Sequence, residues 1–304
     1  METTASRTAQ HVALFRALES VRRGPRLFVD PYAVAALGPG YRLVVAFARL
    51  PLIGVGVESY IDERWPGGPR ASAVVRTRLI DDLLTAAVAD GAGQVLLLGA
   101  GYDSRAYRLP VLRTVDVVEI DHPATQARKR ALVARRTARR ILGWAGRRAP
   151  AAGCARVRFV ALDLISADLG KVLPREGIRH ERSVVVWEGV TNYLDPPSVH
   201  STLTGLAGAL AAGSRIIFTY LDQRALDGSG GFTGFAEWAG TVRAAGEPFT
   251  FGFVPDQLPG YLAARGMTLI SDCSALEAAQ RYLEPLGRHE PAAPFYRIAQ
   301  AEVS

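Results

Sequence analysis

Between residues 94 and 221 the chain alternates short apolar runs with stretches of helical periodicity. Five runs rich in Val, Leu and Ile, at 94–98, 115–120, 157–161, 183–187 and 215–221, read as strands. They are apolar at successive positions, the pattern of strands covered on both faces. Helical patterns occupy 71–90, 123–142 and 196–212. Asp195 followed by Pro196 reads as an N-cap with proline in the first turn. A further helix at 255–265 stops at Gly266, and two more strands are expected at 267–272 and 295–302. Strands alternating with helices predict an α/β fold, a mostly parallel sheet with helices on both faces. No period of 20–50 residues repeats, which excludes solenoids and propellers. Two stretches break the alternation. Residues 1–70 form a preamble before the sheet. Residues 222–254 are rich in glycine and aromatics, among them Phe232, Phe235 and Trp238, and read as an apolar lid insertion over the substrate.

Composition adds bounds. The 304 residues, 49% apolar and 21% charged, are enough for one or two globular domains with a sizeable core. The two cysteines, Cys154 and Cys273, form neither a disulfide framework nor a metal knuckle, and a reducing cytoplasm fits them best. The first 27 residues lack the apolar stretch of a secretory signal. The longest apolar-rich stretch, 43–57, is interrupted by Arg49 and Pro51 and is too short to span a bilayer. The net charge of +7 is local: residues 122–162 hold eleven of the 36 cations and no carboxylate, so the rest of the chain is acidic on balance. Arg128, Arg135 and Arg139 would share one face of the 123–142 helix. A basic stripe can grip phosphates, but no nucleic-acid-binding signature accompanies it, and a solvated helix face is the simpler reading.

The strongest chemical signal is QVLLLGAGYDSR at 94–105. A buried strand runs into Gly99-Ala100-Gly101, where missing Cβ atoms allow a tight turn and close approach of a ligand. A helix N-terminus would follow, its free N–H groups facing that ligand. The next strand ends in Glu119-Ile120-Asp121, and an acid at either position is placed to hold ribose hydroxyls. Those features fit a nicotinamide dinucleotide as well as S-adenosyl-L-methionine. Three details favour the second. The third glycine of a dinucleotide loop is replaced by Ser104, and some 90 residues precede the sheet. Further carboxylates, Asp163 and Glu188, stand after the third and fourth strands. They complement a sulfonium and an ammonium and would repel a pyrophosphate.

Several motifs in order carry a family resemblance: FVDPYA (28–33), VRTRLIDDLL (75–84), LLGAGYDSRAYRL (97–109), VVEIDHP (117–123), FVALDL (159–164), WEGVTNYL (187–194), GEPFTFGF (246–253) and FYRIAQAEV (295–303). Together they resemble the leucine carboxyl methyltransferase family, in particular its bacterial branch of S-adenosyl-L-methionine-dependent methyltransferases. The resemblance implies a class I methyltransferase: a Rossmann-like sheet with an antiparallel last strand, an N-terminal helical cap over 1–70, and a cofactor-binding domain over 71–304 that carries the lid insertion. It implies that Arg76 grips the methionyl carboxylate, with Arg78 as a neighbouring alternative. Gly99, Ala100 and Gly101 would line the methionyl and ribose region. Asp121 would hold the ribose, with Glu119 a second candidate. Asp163 and Leu164 would flank the adenine, and Glu188 would sit near the methionyl amine and the methyl group.

Methyl transfer from a sulfonium asks the protein mainly to align acceptor and methyl. A carboxylate acceptor is ionised at neutral pH, whereas an aliphatic hydroxyl needs a base. None of the five histidines, His11, His122, His180, His200 and His289, sits in a recognisable base–orienter motif. That favours an acidic oxygen: a carboxylate, an enol or a phenol. Tyr193 and Glu188 are the candidates beside the reacting groups, and Tyr193, Tyr220, Phe232, Phe235 and Trp238 the candidates for the acceptor pocket. The expectation is therefore a cytoplasmic O-methyltransferase of small molecules, acting in specialised metabolism, that turns S-adenosyl-L-methionine into S-adenosyl-L-homocysteine. Neither a metal, a membrane nor a nucleic acid is expected. A nucleic-acid methyltransferase and a non-catalytic cofactor-binding regulator are the rival readings, with a nicotinamide oxidoreductase behind them.

Overall fold

The computed structural model describes residues 7–51, 54–142, 156–164 and 167–304. A seven-stranded sheet organises them: β1 (Gln94–Leu98), β2 (Asp116–Asp121), β3 (Arg156–Ala161), β4 (Ser183–Trp187), β5 (Arg215–Leu221), β6 (Met267–Ser274) and β7 (Tyr296–Val303), in the order β3-β2-β1-β4-β5-β7-β6. The first five strands pair in parallel, and β7 runs antiparallel between β5 and β6. β1 and β4 are buried at every position, as their unbroken apolar sequences require. β3 departs from that pattern. It lies at the sheet edge, so Arg156 and Arg158 are both exposed.

Helices cover both faces. α4 (Pro69–Ala89) packs against β4, β5, β7 and the late helix Ala275–Tyr282, and its Val74, Ile80 and Leu84 join Val95, Leu97 and Val186 in one apolar layer. The opposite layer joins Leu96, Val185 and Trp187 to Val199, Leu203 and Leu206 of the helix Pro196–Ala209. That helix starts as its sequence dictates: Asp195 Oδ1 accepts a hydrogen bond from the Ser198 N–H at 2.7 Å, and Pro196 occupies the first turn. The helix expected at 255–265 is shorter, a 3-10 turn Pro255–Gln257 followed by Leu258–Ala263. The helix Pro123–Leu142 has the expected bounds.

The residues before the sheet build α1 (Arg7–Val21), α2 (Pro39–Ala48) and α3 (Gly54–Arg64) around a cluster of their own that includes Leu14, Leu18, Leu37, Val45 and Ile61. Two buried ion pairs anchor this cap. Arg16 reaches Asp30 at 3.0 Å and donates to the Tyr102 carbonyl at 2.6 Å, while Glu19 pairs with Arg288 at 2.8 Å. The 222–254 insertion forms Gln223–Leu226 and the helix Phe235–Ala244, then returns to the sheet, where the Phe253 N–H donates to the Leu221 carbonyl at 3.0 Å.

Candidate active site

The strand order reverses between β1 and β4, and the carboxyl ends of neighbouring strands open a crevice there. Gly99 directly follows β1, Asp121 ends β2, and Glu188 directly follows β4. Gly99 and Gly101 have φ of +60° and +41°, a region that side chains avoid. The Gly101 N–H donates to Asp121 Oδ2 at 2.6 Å, so the acid at the end of β2 also braces the turn. Burial raises the Asp121 pKa against the lowering effect of the Gly101 N–H. A single α-helical turn, Arg105–Arg108, follows the loop ahead of a 3-10 turn, Pro110–Thr114, and the Arg105 N–H that opens it is taken by Asp103 Oδ1 at 2.7 Å. The expected helix N-terminus facing a ligand is therefore replaced by an internally capped turn.

Ser104, standing where a dinucleotide loop has glycine, has a structural use. Its hydroxyl donates to the fully buried Asp30 at 2.7 Å and accepts from Arg108 at 3.1 Å, tying the cofactor loop to the cap.

Arg76, on α4, and Glu188 meet at 2.6 Å. The other Glu188 oxygen accepts from Arg105 at 2.6 Å. Arg105 continues to Asp103 at 2.6 Å and Asp81 at 2.8 Å, and Asp81 to Arg108 at 2.6 Å. Burial alone would raise the Glu188 pKa, but the Arg105 and Arg76 guanidiniums outweigh it and hold the carboxyl at about 2. Burial works against the Arg76 cation too and is overcome by Tyr296 and Glu188, so both partners stay charged.

These groups line one cavity of about 570 Å³, within the usual range for small-molecule sites. Arg76, Gly99, Ala100, Gly101, Asp121, Asp163, Leu164 and Glu188 share its wall with Tyr193 and Trp238. Burial raises the Tyr193 hydroxyl pKa well above its ordinary value. Other sequence candidates are placed elsewhere. Glu119 is buried and pairs with Lys129 Nζ at 2.8 Å. Tyr220 is buried in β5 and donates to Asp272 Oδ2 at 2.7 Å. Phe232 and Phe235 turn against Phe295 at 5.8 and 5.1 Å between ring centroids. Arg78 faces outward and pairs with Asp82 at 3.0 Å. The arginine run also divides: Lys129 points inward, Arg130 lies over the Phe159 ring at 5.3 Å, and the side chains of Arg135 and Arg139 lie outside the described residues.

Sequence reading missed the cap's share of the wall. Thr8, His11, Val12 and Phe15 project from one face of α1, and Trp65, Glu247, Phe249 and Tyr296 complete the upper half. The 8-11-12-15 spacing marks a helical face, but nothing in it names a cavity. Tyr296 stood inside a quoted motif without an assigned role.

The cavity suits S-adenosyl-L-methionine. An arginine and a carboxylate stand side by side, complementary in charge to its zwitterionic end; a strand-end acid could accept from ribose hydroxyls, and the turn beside it carries no Cβ at Gly99 and Gly101. The order of strands and the crevice at the switch point define the class: a Rossmann-like, class I methyltransferase. Comparison with known proteins gives the family. Residues 9–207 match the family model described as leucine carboxyl methyltransferase, and the chain belongs to that family. It is similar to a Streptomyces coelicolor protein named "Putative S-adenosyl-L-methionine-dependent methyltransferase", 33% identical over 92% of this chain and 88% of that one. A Streptomyces avermitilis protein of the same description is 31% identical over the same shares. Among solved structures, a methyltransferase-like protein of Thermobifida fusca superposes with a TM-score of 0.55 at 16% identity, covering 95% of this chain and 94% of that one, a likeness of fold. The chain is thus an S-adenosyl-L-methionine-dependent methyltransferase.

Proposed function

We propose that the enzyme methylates an acidic oxygen (a carboxylate, enol or phenol) of a small molecule in cytoplasmic specialised metabolism. One observation carries the reading: the cofactor groups and an aromatic, largely apolar upper half share one cavity, which α1 and the insertion wall in. A cavity of about 570 Å³ has room for a cofactor and a modest acceptor, not for a duplex or a folded protein surface.

Bound S-adenosyl-L-methionine supplies an electrophilic methyl group on a sulfonium. Arg76 would hold the methionyl carboxylate through its guanidinium fork, and Glu188 the methionyl amine. Asp121 would accept from the ribose hydroxyls, and Asp163 and Leu164 would flank the adenine. Tyr193, beside Arg76 and Phe249, would face the acceptor. The apolar walls exclude water and strengthen every charge interaction inside.

The test is calorimetry with S-adenosyl-L-homocysteine, S-adenosyl-L-methionine and NADH, followed by methyl-labelled screening of carboxylic acids, enols, phenols and RNA. Micromolar binding of the two sulfur ligands, none of NADH, and label in an oxygen-linked small molecule is the expected result. Label in RNA, or in no acceptor class, overturns the reading.

A further inference from the structure

His11 stands on the cavity face of α1, one turn beyond Thr8 and one before Phe15. Its Nε2 lies 2.9 Å from the hydroxyl of Tyr41 on α2, which is not part of the cavity wall, and its ring lies 5.1 Å from that of Trp65. An imidazole in a cavity wall, braced from behind by a hydroxyl, is the base–orienter arrangement that the sequence did not reveal, because its members are 30 residues apart on different helices. The surroundings are flat and aromatic. Trp238 stacks on Tyr296 at 5.7 Å with planes 7° apart, Tyr193 lies 5.6 Å from Phe249, and Phe15 lies 5.8 Å from Trp65. Such walls accept a planar ring by stacking.

We propose that the acceptor is an aromatic hydroxyl compound, that His11 is the catalytic base that ionises it, and that Tyr41 is the positioning residue that fixes the imidazole. This rests on the small-molecule O-methyltransferase reading and narrows it from acidic oxygens in general to phenols. In the step, the acceptor O–H bond breaks, its electron pair stays on oxygen, and the proton forms an N–H bond on His11. A phenol becomes a phenolate and the imidazole an imidazolium, with no net change of charge. A phenol is mostly un-ionised near neutrality, so it gains from such a base, whereas a carboxylate does not. The wall also carries Arg16, Arg76, Asp103, Asp121, Asp163, Glu188 and Glu247 and a second imidazole, His122, so the test must isolate His11 from them.

The probe is 4-nitrophenol, whose phenolate absorbs at longer wavelength than the phenol. It is titrated with pH in protein saturated with S-adenosyl-L-homocysteine. In the native enzyme the bound probe should half-ionise about one or more pH units below the free probe, as an adjacent cation requires. His11→Gln should abolish that shift, and Tyr41→Phe should reduce it, while both variants keep their affinity for S-adenosyl-L-homocysteine. Nitrogen NMR of the native histidines should show one imidazole becoming imidazolium as the probe binds, a readout that needs no variant to fold. An unchanged shift in His11→Gln, an unaltered imidazole spectrum, or no binding of 4-nitrophenol overturns the proposal. Failure to bind S-adenosyl-L-homocysteine would instead strike the reading on which it rests.

Discussion

Arg76 and Glu188 are 112 residues apart in sequence and 2.6 Å apart in space, and each presents to the cavity the charge opposite to one end of an amino acid zwitterion. On the proposed reading, the methionyl group of the cofactor would exchange that one ion pair for two, while the second Glu188 oxygen is held by Arg105. Arg76→Ala should therefore weaken S-adenosyl-L-homocysteine binding by about 2–5 kcal/mol, the range for truncating one partner of a buried charge pair. Calorimetry reads this directly, and unchanged affinity would remove Arg76 from the carboxylate site.

The same network sets a pH limit. Glu188 has a folded pKa of about 2 against an ordinary 4.5. A depressed carboxylate contributes stability that is complete above its unfolded pKa and disappears as pH falls through its folded one. The native protein should therefore lose stability between about pH 4.5 and 2, and Glu188→Gln should show a flatter slope there. Urea unfolding midpoints across that window measure it. Parallel slopes would mean that Glu188 titrates normally.

Ser104 should matter for stability and not for cofactor choice. Ser104→Gly rebuilds the third glycine of a dinucleotide loop but takes a hydroxyl donor from buried Asp30, which keeps Arg16 and the N–H groups of Tyr32 and Ala33. The expected loss is about 1–3 kcal/mol, the range for one buried partner removed. NADH should still not bind. Thermal unfolding and an NADH titration check the two halves separately.

At Gly99 a Cβ would collide with Val190 Cγ2, and the φ of +60° adds a backbone cost of about 1–2 kcal/mol. Gly99→Ala should destabilise the protein and displace Val190 into the cavity it lines, weakening S-adenosyl-L-homocysteine binding. Adding Val190→Ala should restore much of the affinity but not the backbone term. Equal affinity in the single and double variants would dissociate Val190 from the effect.

How much of this was legible follows from what each residue's signal depends on. The bounds of β1, β4 and β5 were readable because continuous apolar runs end abruptly where the sheet meets solvent or ligand. β3 carries a weaker signal, since its edge position leaves arginines acceptable on it. Glu119 and Asp121 could not be separated by pattern, because residues two apart share a strand face. Their depth along the strand separates them: Glu119 lies beside Leu97 inside the ladder, while Asp121 is past the end of β1. Tyr220, expected in the acceptor pocket from its place near the end of β5, is instead buried in the sheet with its hydroxyl on Asp272. The cap's contribution was illegible because His11, Tyr41 and Trp65 meet only through the packing of separate helices.

That difference in depth gives a paired test. Glu119 is buried against Lys129, so Glu119→Gln leaves a buried ammonium without its counter-charge, a change that costs about 3–5 kcal/mol of stability. Burial raises the pKa of both carboxyls, but Glu119 is set against an ammonium and Asp121 against the N–H groups of Gly101 and His122. The ionised form of Asp121 therefore disfavours folding at neutral pH with no ion pair at stake, and Asp121→Asn should change the melting temperature far less than Glu119→Gln. Asp121→Asn should lose about 1.5–3 kcal/mol of S-adenosyl-L-homocysteine affinity, the worth of a charged hydrogen bond to the ribose. Native affinity should also decline as pH falls through the raised Asp121 pKa, and Asp121→Asn should lack that decline. Thermal melts and calorimetry on both variants decide the matter: if Glu119→Gln lowers affinity at unchanged stability while Asp121→Asn does neither, the ribose belongs to Glu119.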